Sequence, residues 1–225
     1  MSEKSKLLPQ MLLKGLAGFA LLGLLLFGCA GSLAYTGGWL LVAPLAALMA
    51  AMGVFLLVKS PETLARRLKS KESENAQKGY IALTGGLFLL SFALGGLSFR
   101  FGWAQLPLPG MVAGLIVMIL GYAMYAAVIR QNAYAARVVE VQQGQTVIST
   151  GLYAVVRHPM YLACLLVFVP MPLVLGAWLA LVPMLCLPVM LVLRIKNEEQ
   201  VLLAGLPGYA EYTQKTKYRL LPFIW

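Results

Sequence analysis

Charge is scarce in this 225-residue chain: only 12% of its residues are charged against 60% hydrophobic, and the mean hydropathy is +0.82. That balance excludes an ordinary water-soluble domain. Histidine occurs once, which excludes a multi-histidine metal site. The three cysteines, Cys29, Cys164 and Cys186, all lie in apolar stretches, so neither a disulfide framework nor a metal cluster is expected. Acid is scarce as well, with eight acidic residues against eighteen basic ones and a net charge of +10. Such a surplus can signal nucleic acid, but its distribution along the chain argues against that partner and for a lipid bilayer.

What is abundant is long apolar sequence. A spanning helix needs roughly 20 apolar residues to cross about 30 Å of hydrocarbon. Four stretches meet this, approximately Met11 to Ala34, Trp39 to Val58, Tyr80 to Phe99 and Gly110 to Ile129. A fifth, Tyr161 to Leu193, is too long for one span and carries Pro170, Pro172 and Gly176 near its middle, so it reads as a helical hairpin. Each arm has on the order of 15 residues, about 22 Å of helix, which implies kinks, a tight turn or shelter from neighbours. The fold class is therefore all-α and polytopic: four spanning helices, a C-terminal hairpin and short cytoplasmic helices. The start of the chain, with its basic residues and Leu26-Phe27-Gly28-Cys29, superficially resembles a lipoprotein signal. Phe27 is too bulky for that cleavage pattern, and a retained helix is expected.

With these spans, the basic residues fall on one side. Lys4, Lys6 and Lys14 flank the first span; Lys59, Arg66, Arg67, Lys69, Lys71 and Lys78 fill the loop between the second and third; Arg130, Arg137, Arg157, Arg194, Lys196, Lys215, Lys217 and Arg219 border the later ones. Only Arg100 is left for the opposite side. The positive-inside rule then puts both termini in the cytoplasm of, by expectation, a bacterial inner membrane. Most of these residues, the Lys59 to Lys78 loop above all, are expected to serve as topology signals without chemistry. Residues 1–109 read as a transmembrane scaffold, in which Gly85, Gly86, Gly95 and Gly96, and just beyond it Gly110 and Gly114, would allow helices to approach closely. Residues 110–225 gather the polar, aromatic and charged groups.

Three constellations in that second half can carry chemistry. Gly151-Leu152-Tyr153-Ala154-Val155-Val156-Arg157-His158-Pro159-Met160-Tyr161 stands where the chain re-enters the membrane. Pro159 suits the first turn of a helix, which makes His158 its cap. Free backbone N–H groups and the helix dipole make that position an anion site, although Arg157 can equally snorkel and His158 merely cap. In Arg194-Ile195-Lys196-Asn197-Glu198-Glu199-Gln200, Arg194 and Glu198 share a face if the helix is continuous. Alternatively, Asn197 with Gln200 starts a new helix as a capping box. Last come Tyr209 and Tyr212, followed by Lys215, Lys217, Tyr218, Arg219, Leu220, Leu221 and Pro222; the tyrosines suit either a membrane belt or a pocket for an adenine or a sulfonium.

The order and spacing of these pieces, Gly-x-Tyr-x-x-x-Arg-His-Pro-x-Tyr, then Glu-Glu-x-x-Leu from Glu198 to Leu202, then Tyr-x-x-Tyr and the closing Arg219-Leu220-Leu221-Pro222, resemble the isoprenylcysteine carboxyl methyltransferase family and its phospholipid N-methyltransferase relatives. The likeness covers roughly Gly110 to Trp225. It differs at Leu152, where many relatives have Pro, at Ala163, where they have Gly, and at Ala204 to Gly208. The resemblance implies an S-adenosylmethionine pocket at the cytoplasmic ends of the last helices. By it, Tyr153, Arg157, His158, Pro159, Met160 and Tyr161 would contact the cofactor, as would the backbone around Gln145, Thr146, Val147 and Ile148. Glu198, Tyr209 and Tyr212 would join them. Arg194 would face the methyl acceptor, with Glu199 as its catalytic companion.

The function so implied is methyl transfer to a lipophilic acceptor at the cytoplasmic interface, foremost carboxyl O-methylation of an isoprenylcysteine-like substrate. A phospholipid amine and a thiol also fit as acceptors. Two other classes stay open: an NADPH-dependent sterol or enone reductase, which shares a similar Arg-His-Pro and C-terminal tyrosines, and a non-catalytic scaffold. No metal and no nucleic acid partner are expected.

Overall fold

A computed structural model of the chain describes residues 3–68, 75–132, 134 and 141–225, without the side chains of residues 3, 4 and 75–78. Lys4, Lys69, Lys71, Lys78 and Arg137, counted above among the one-sided charges, lie outside these described side chains.

The first four apolar stretches form α1 (Glu3–Ala30), α2 (Thr36–Lys59), α4 (Asn75–Phe101) and α5 (Leu108–Gln131), with a short α3 (Pro61–Leu68) after α2. The remainder gives α6 (Leu152–Val155), α7 (Pro159–Phe168), α8 (Met171–Val174), α9 (Trp178–Met184), α10 (Leu187–Gly205) and α11 (Tyr209–Lys215). Among the described residues there is no β-strand, only an isolated bridge between Gln105 and Ala177. Most of the apolar surface faces outward: 6% of the most apolar window of α1 is buried and 39% of that in the last long helix. Apolar side chains are left outside in this way where lipid is the solvent, and the protein is an integral membrane protein.

The hairpin is longer than its apolar run suggests. Its descending arm, Pro159–Val174, is α7 and α8, broken at Val169 and Pro170. Its ascending arm runs from Trp178 to Gly205, 28 residues, and is a fifth helix of spanning length. The expectation of two short arms is corrected on this side, because the helix runs on through the charged residues 194–200 rather than ending at Leu193. The tip reaches the far end of the bundle: Leu106 N–H donates to Gly176 O at 2.8 Å and Trp178 N–H to Ala104 O at 3.1 Å, so the 175–177 turn is tied to the α4–α5 connection. Tyr35, 2% exposed, secures the same end by donating its hydroxyl to Leu175 O (2.7 Å) and Gly95 O (3.1 Å).

Close helix contacts are made at glycines only partly foreseen. A Cβ on Gly121 would lie 2.6 Å from the Leu166 carbonyl carbon, and one on Gly114 2.8 Å from Leu173 Cβ, which brings α5 onto α7 and α8. Gly95 and Gly96 also pack closely, but Gly85 and Gly86 meet no neighbour within 4 Å, and Gly110 faces only the nearby Leu106 side chain. These three do not mediate helix approach. The hairpin is thus held against α4 and α5 with both of its charged ends at the basic side, and that is where the site lies.

Candidate active site

The motif before α7 is shaped by local bonds. Gly151, at φ 59, presses on Gln131, whose Oε1 accepts the Leu152 N–H at 3.0 Å; a Cβ there would come within 2.7 Å of that oxygen. After the short α6, His158 stands at the N-cap position of α7 without a side-chain cap bond, and Pro159 opens the helix, as expected. The segment 141–150 has no regular structure and is held by side chains instead. Gln142 N–H donates to Gln145 Oε1 (2.9 Å), Gln142 Nε2 to Tyr134 O (2.8 Å), and Tyr134 Oη to Gly144 O (2.7 Å).

Between this segment, α7, α10 and α11 lies an open cavity, with about 850 Å³ of empty space when its mouth is included. All of its walls come from residues 132–212. Gln145, Thr146, Val147 and Ile148 form one side. Tyr153, Arg157, His158, Met160 and Tyr161 form the next, and Glu198, Tyr209 and Tyr212 close it. Twelve of the thirteen residues assigned to the cofactor thus line one space; Pro159 is wholly buried in the first turn of α7 and does not. Asn132, Tyr134, Gln142, Val201, Leu202 and Leu206 also line it and went unnoticed. Asn132 and Tyr134 had a signal, since they open the polar stretch directly after α5.

Helix α10 is continuous from Leu187 to Gly205, so the alternative of a new helix starting at Asn197 is overturned. Arg194 and Glu198 therefore share a face, and both meet Tyr161: Arg194 Nε donates to Tyr161 Oη at 2.9 Å, and Tyr161 Oη donates to Glu198 Oε2. Arg194 itself, 8% exposed, stands outside the cavity wall with its guanidinium 4.9 Å from the centre of the Tyr80 ring on α4. Tyr161 is the partition between the two.

Glu199 points elsewhere and does not line the cavity. Its Oε1 accepts Arg157 Nε at 2.7 Å and lies 3.3 Å from His158 Nε2, while Oε2 accepts Arg219 Nε at 2.6 Å. Arg157 Nη1 also donates to Thr216 O and Lys217 O, at 2.8 and 3.0 Å. The backbone N–H groups of Arg157 and His158 donate to Tyr218 O and Arg219 O, both at 2.9 Å. Arg157 is therefore neither a snorkelling residue nor a free cation: with Glu199 it straps the C-terminal segment to the Arg-His-Pro turn. This strap carries α11, whose Tyr212 hydroxyl donates to Tyr153 O at 2.7 Å.

Three of the cavity phenols, Tyr153, Tyr209 and Tyr212, are held neutral. Burial pushes the Tyr153 hydroxyl up to about 12, against the Asn132 amide that donates to it at 2.9 Å. Burial, with the Glu199 and Glu198 carboxylates nearby, pushes Tyr209 well above the ordinary tyrosine range, and burial raises Tyr212 as well. Tyr209 is only 4% exposed and its hydroxyl has no hydrogen-bond partner. An unsatisfied buried hydroxyl in a cavity wall is a destabilising feature that a bound polar group relieves. Aromatic faces, one carboxylate and an unsatisfied hydroxyl suit a ligand with a base, a cation and hydroxyl groups.

None of the curated proteins compared with the chain matches it. Among solved structures it is similar to a eukaryotic intramembrane Ras methyltransferase, isoprenylcysteine carboxyl methyltransferase, determined without a monobody. Identity is 22% and the TM-score 0.52, over 91% of this chain and 75% of that one, a likeness of fold. The family model that matches is that of the isoprenylcysteine carboxyl methyltransferase (ICMT) family, over residues 113–204. From α5 through nearly the whole of α10, the stretch that holds Arg-His-Pro and Glu-Glu-x-x-Leu, the chain is therefore similar to the isoprenylcysteine carboxyl methyltransferase family.

Proposed function

We propose that this protein is a membrane methyltransferase that binds S-adenosylmethionine in the cavity at its basic end and methylates a lipophilic acceptor, foremost the carboxylate of an isoprenylcysteine-like molecule. The observation that carries the reading is the position of Tyr161. One side of it lines the cavity, and its hydroxyl joins Glu198 in the cavity wall to Arg194 outside. Two sites of different chemistry therefore adjoin, one open to water and one beside the lipid-facing helices.

The residues fit the cofactor. Tyr153, Tyr209 and Tyr212 offer ring faces to an adenine or sulfonium, Glu198 offers a carboxylate to ammonium or ribose hydroxyl groups, and the Tyr209 hydroxyl lacks a partner. Bound there, the cofactor supplies an electrophilic methyl group on a positively charged sulfur. Arg194 orients the acceptor carboxylate by paired N–H donation, and the surrounding apolar helices keep water from it. A carboxylate needs no general base, so alignment and desolvation carry the rate. In this reading the basic side is the cytoplasmic face of a bacterial inner membrane, following the positive-inside rule, with both termini there.

The test is binding of labelled S-adenosylmethionine and of NADPH to the purified protein, followed by transfer to N-acetyl-S-farnesylcysteine and to total membrane lipid. Binding of the first and methylation of the prenylated acid are expected, with Arg194→Ala and Glu198→Ala both impaired. Binding of NADPH instead, or undiminished transfer in both folded variants, would refute the reading.

A further inference from the structure

We propose that Arg67, on α3, is an acceptor-recognition residue: with Arg194 it forms a two-guanidinium seat for an anionic head group arriving from the lipid. The proposal rests on the methyl-transfer reading above and assigns a role to a residue outside the 113–204 segment that the family match covers.

Arg67 was expected to be one of many topology signals in a solvated loop. The fold puts it somewhere else. The loop after α2 turns back at Ser60 and Pro61 into an amphipathic helix, and Leu64 of that helix packs among Leu7, Leu56 and Ile129, with Tyr125 and Met160 against the cluster. Lys14 Nζ donates to Leu68 O at 2.6 Å and holds the far end of α3 against α1. Thus α3 is docked onto the wall of the site, since Met160 is itself a cavity residue. Its two arginines reach in different directions. The Arg66 guanidinium lies 5.9 Å from the centre of the Tyr134 ring, at the cavity rim. The Arg67 guanidinium donates to the Tyr125 hydroxyl of α5 and sits 4.9 Å from that ring's centre.

On the other side, Arg194 lies 4.9 Å from the Tyr80 ring and 5.9 Å from the Tyr161 ring. Tyr125, which accepts from Arg67, packs against the same cluster as Met160, and Tyr161, the next residue of α7, accepts from Arg194. Cations carried by α3 and α10 are therefore both held at the start of α7. Tyr80, Tyr122, Tyr125 and Cys164 are all half-buried, so this stretch is not sealed from outside. Converging guanidinium groups at a hydrocarbon boundary raise the local potential and favour an anion that both can hold by charge-assisted hydrogen bonds. An amine head would meet repulsion there, and a neutral head would gain little. The seat therefore selects an anionic acceptor.

The experiment uses the full chain in phosphatidylcholine nanodiscs with labelled S-adenosylmethionine, N-acetyl-S-farnesylcysteine as acceptor, and the methyl ester of that acid as a neutral competitor. Arg67→Gln is expected to raise KM for the acid at least tenfold, with kcat, S-adenosylmethionine affinity and inhibition by the neutral ester each within twofold of the parent. Arg67→Lys, which keeps the charge but not the fork, is expected to raise KM about threefold. A purely structural role would move cofactor affinity and ester inhibition together with KM, and that result overturns the proposal. So does an unchanged KM in Arg67→Gln, or transfer by the parent to an amine or thiol but not to the acid. Should Arg67→Gln fail to fold, Arg67→Lys decides, and no rise in KM refutes the seat. A parent protein that binds no S-adenosylmethionine overturns the methyl-transfer reading itself, whereas an active parent with an equally active Arg67→Gln overturns this proposal alone.

Discussion

Replacing Glu199 by Gln tests how the C-terminal strap is held. The carboxylate is 6% exposed and its ion-pair partner Arg157 7%, so the substitution leaves a buried guanidinium without its counter-charge. Breaking a buried pair from one side destabilises by about 3–5 kcal/mol. Two features of the site refine that range. Arg157 keeps its bonds to Thr216 O and Lys217 O, which favours the lower end. Arg219 is more than a third exposed, at 38% of its side chain, so solvent screens its pair with Glu199 and it adds about 1 kcal/mol or less. The loss is therefore about 3–4 kcal/mol, or between two and three orders of magnitude in a local opening equilibrium at about 1.4 kcal/mol per decade.

The readout is hydrogen exchange by mass spectrometry on protein in nanodiscs. The amide hydrogens of Arg157 and His158, bonded to Tyr218 O and Arg219 O, should exchange about a hundred times faster or more, while amides in the middle of α5 stay unchanged. Cofactor affinity should fall as strap closure is lost, since α11 and its two tyrosines depend on it. Exchange at 157 and 158 within threefold of the parent, in a protein whose spans remain protected, would refute the view that Glu199 fastens the tail.

Further outcomes follow from the same geometry. Tyr209→Phe removes the unsatisfied hydroxyl, so calorimetric titration should show S-adenosylmethionine affinity lowered about fivefold, for the loss of about 1 kcal/mol of hydrogen bonding, with no loss of stability in the ligand-free protein. Tyr153 has its folded-state pKa raised to about 12 from the unfolded tyrosine value near 10, so the folded state holds its proton more tightly. Its contribution is fully present below about pH 10 and is lost as pH rises toward 12, an alkaline decline in stability that Tyr153→Phe should lessen in a pH series of denaturant titrations. Gly121→Ala should destabilise by about 1–3 kcal/mol by driving α5 off the α7 backbone, whereas Gly85→Ala should stay within about 0.5 kcal/mol; unfolding in a denaturing detergent series separates them.

Much of the fold was legible because spanning length is a property of composition alone. Uninterrupted apolar runs located α1, α2, α4 and α5. The length of the ascending hairpin arm was not legible, because Arg194, Lys196, Glu198 and Glu199 look like a boundary while their helix continues to Gly205. Tyr35 gave no signal either: its two bonds join residues 60 and 140 positions away. Within the site, Arg194 and Glu198 were readable as an i, i+4 pair, but Tyr161 between them came from another helix.

The hardest residues to read were the paired charges, because sequence shows the charge and not the partner. Glu199, next to Glu198, was read as the catalytic companion of Arg194, yet neighbours on a helix point about 100° apart. That angle sends Glu198 to the cavity wall and Glu199 to Arg157 and Arg219. The same blindness applied to Arg66 and Arg67, two adjacent cations in a basic loop, which diverge from α3 to the rings of Tyr134 and Tyr125. In both pairs, a single step along a helix separates the two faces. A one-residue shift of α10 would exchange a cavity carboxylate for a strap carboxylate, so the Tyr161 and Arg157 contacts, one turn apart in sequence, jointly fix the register on which the site depends.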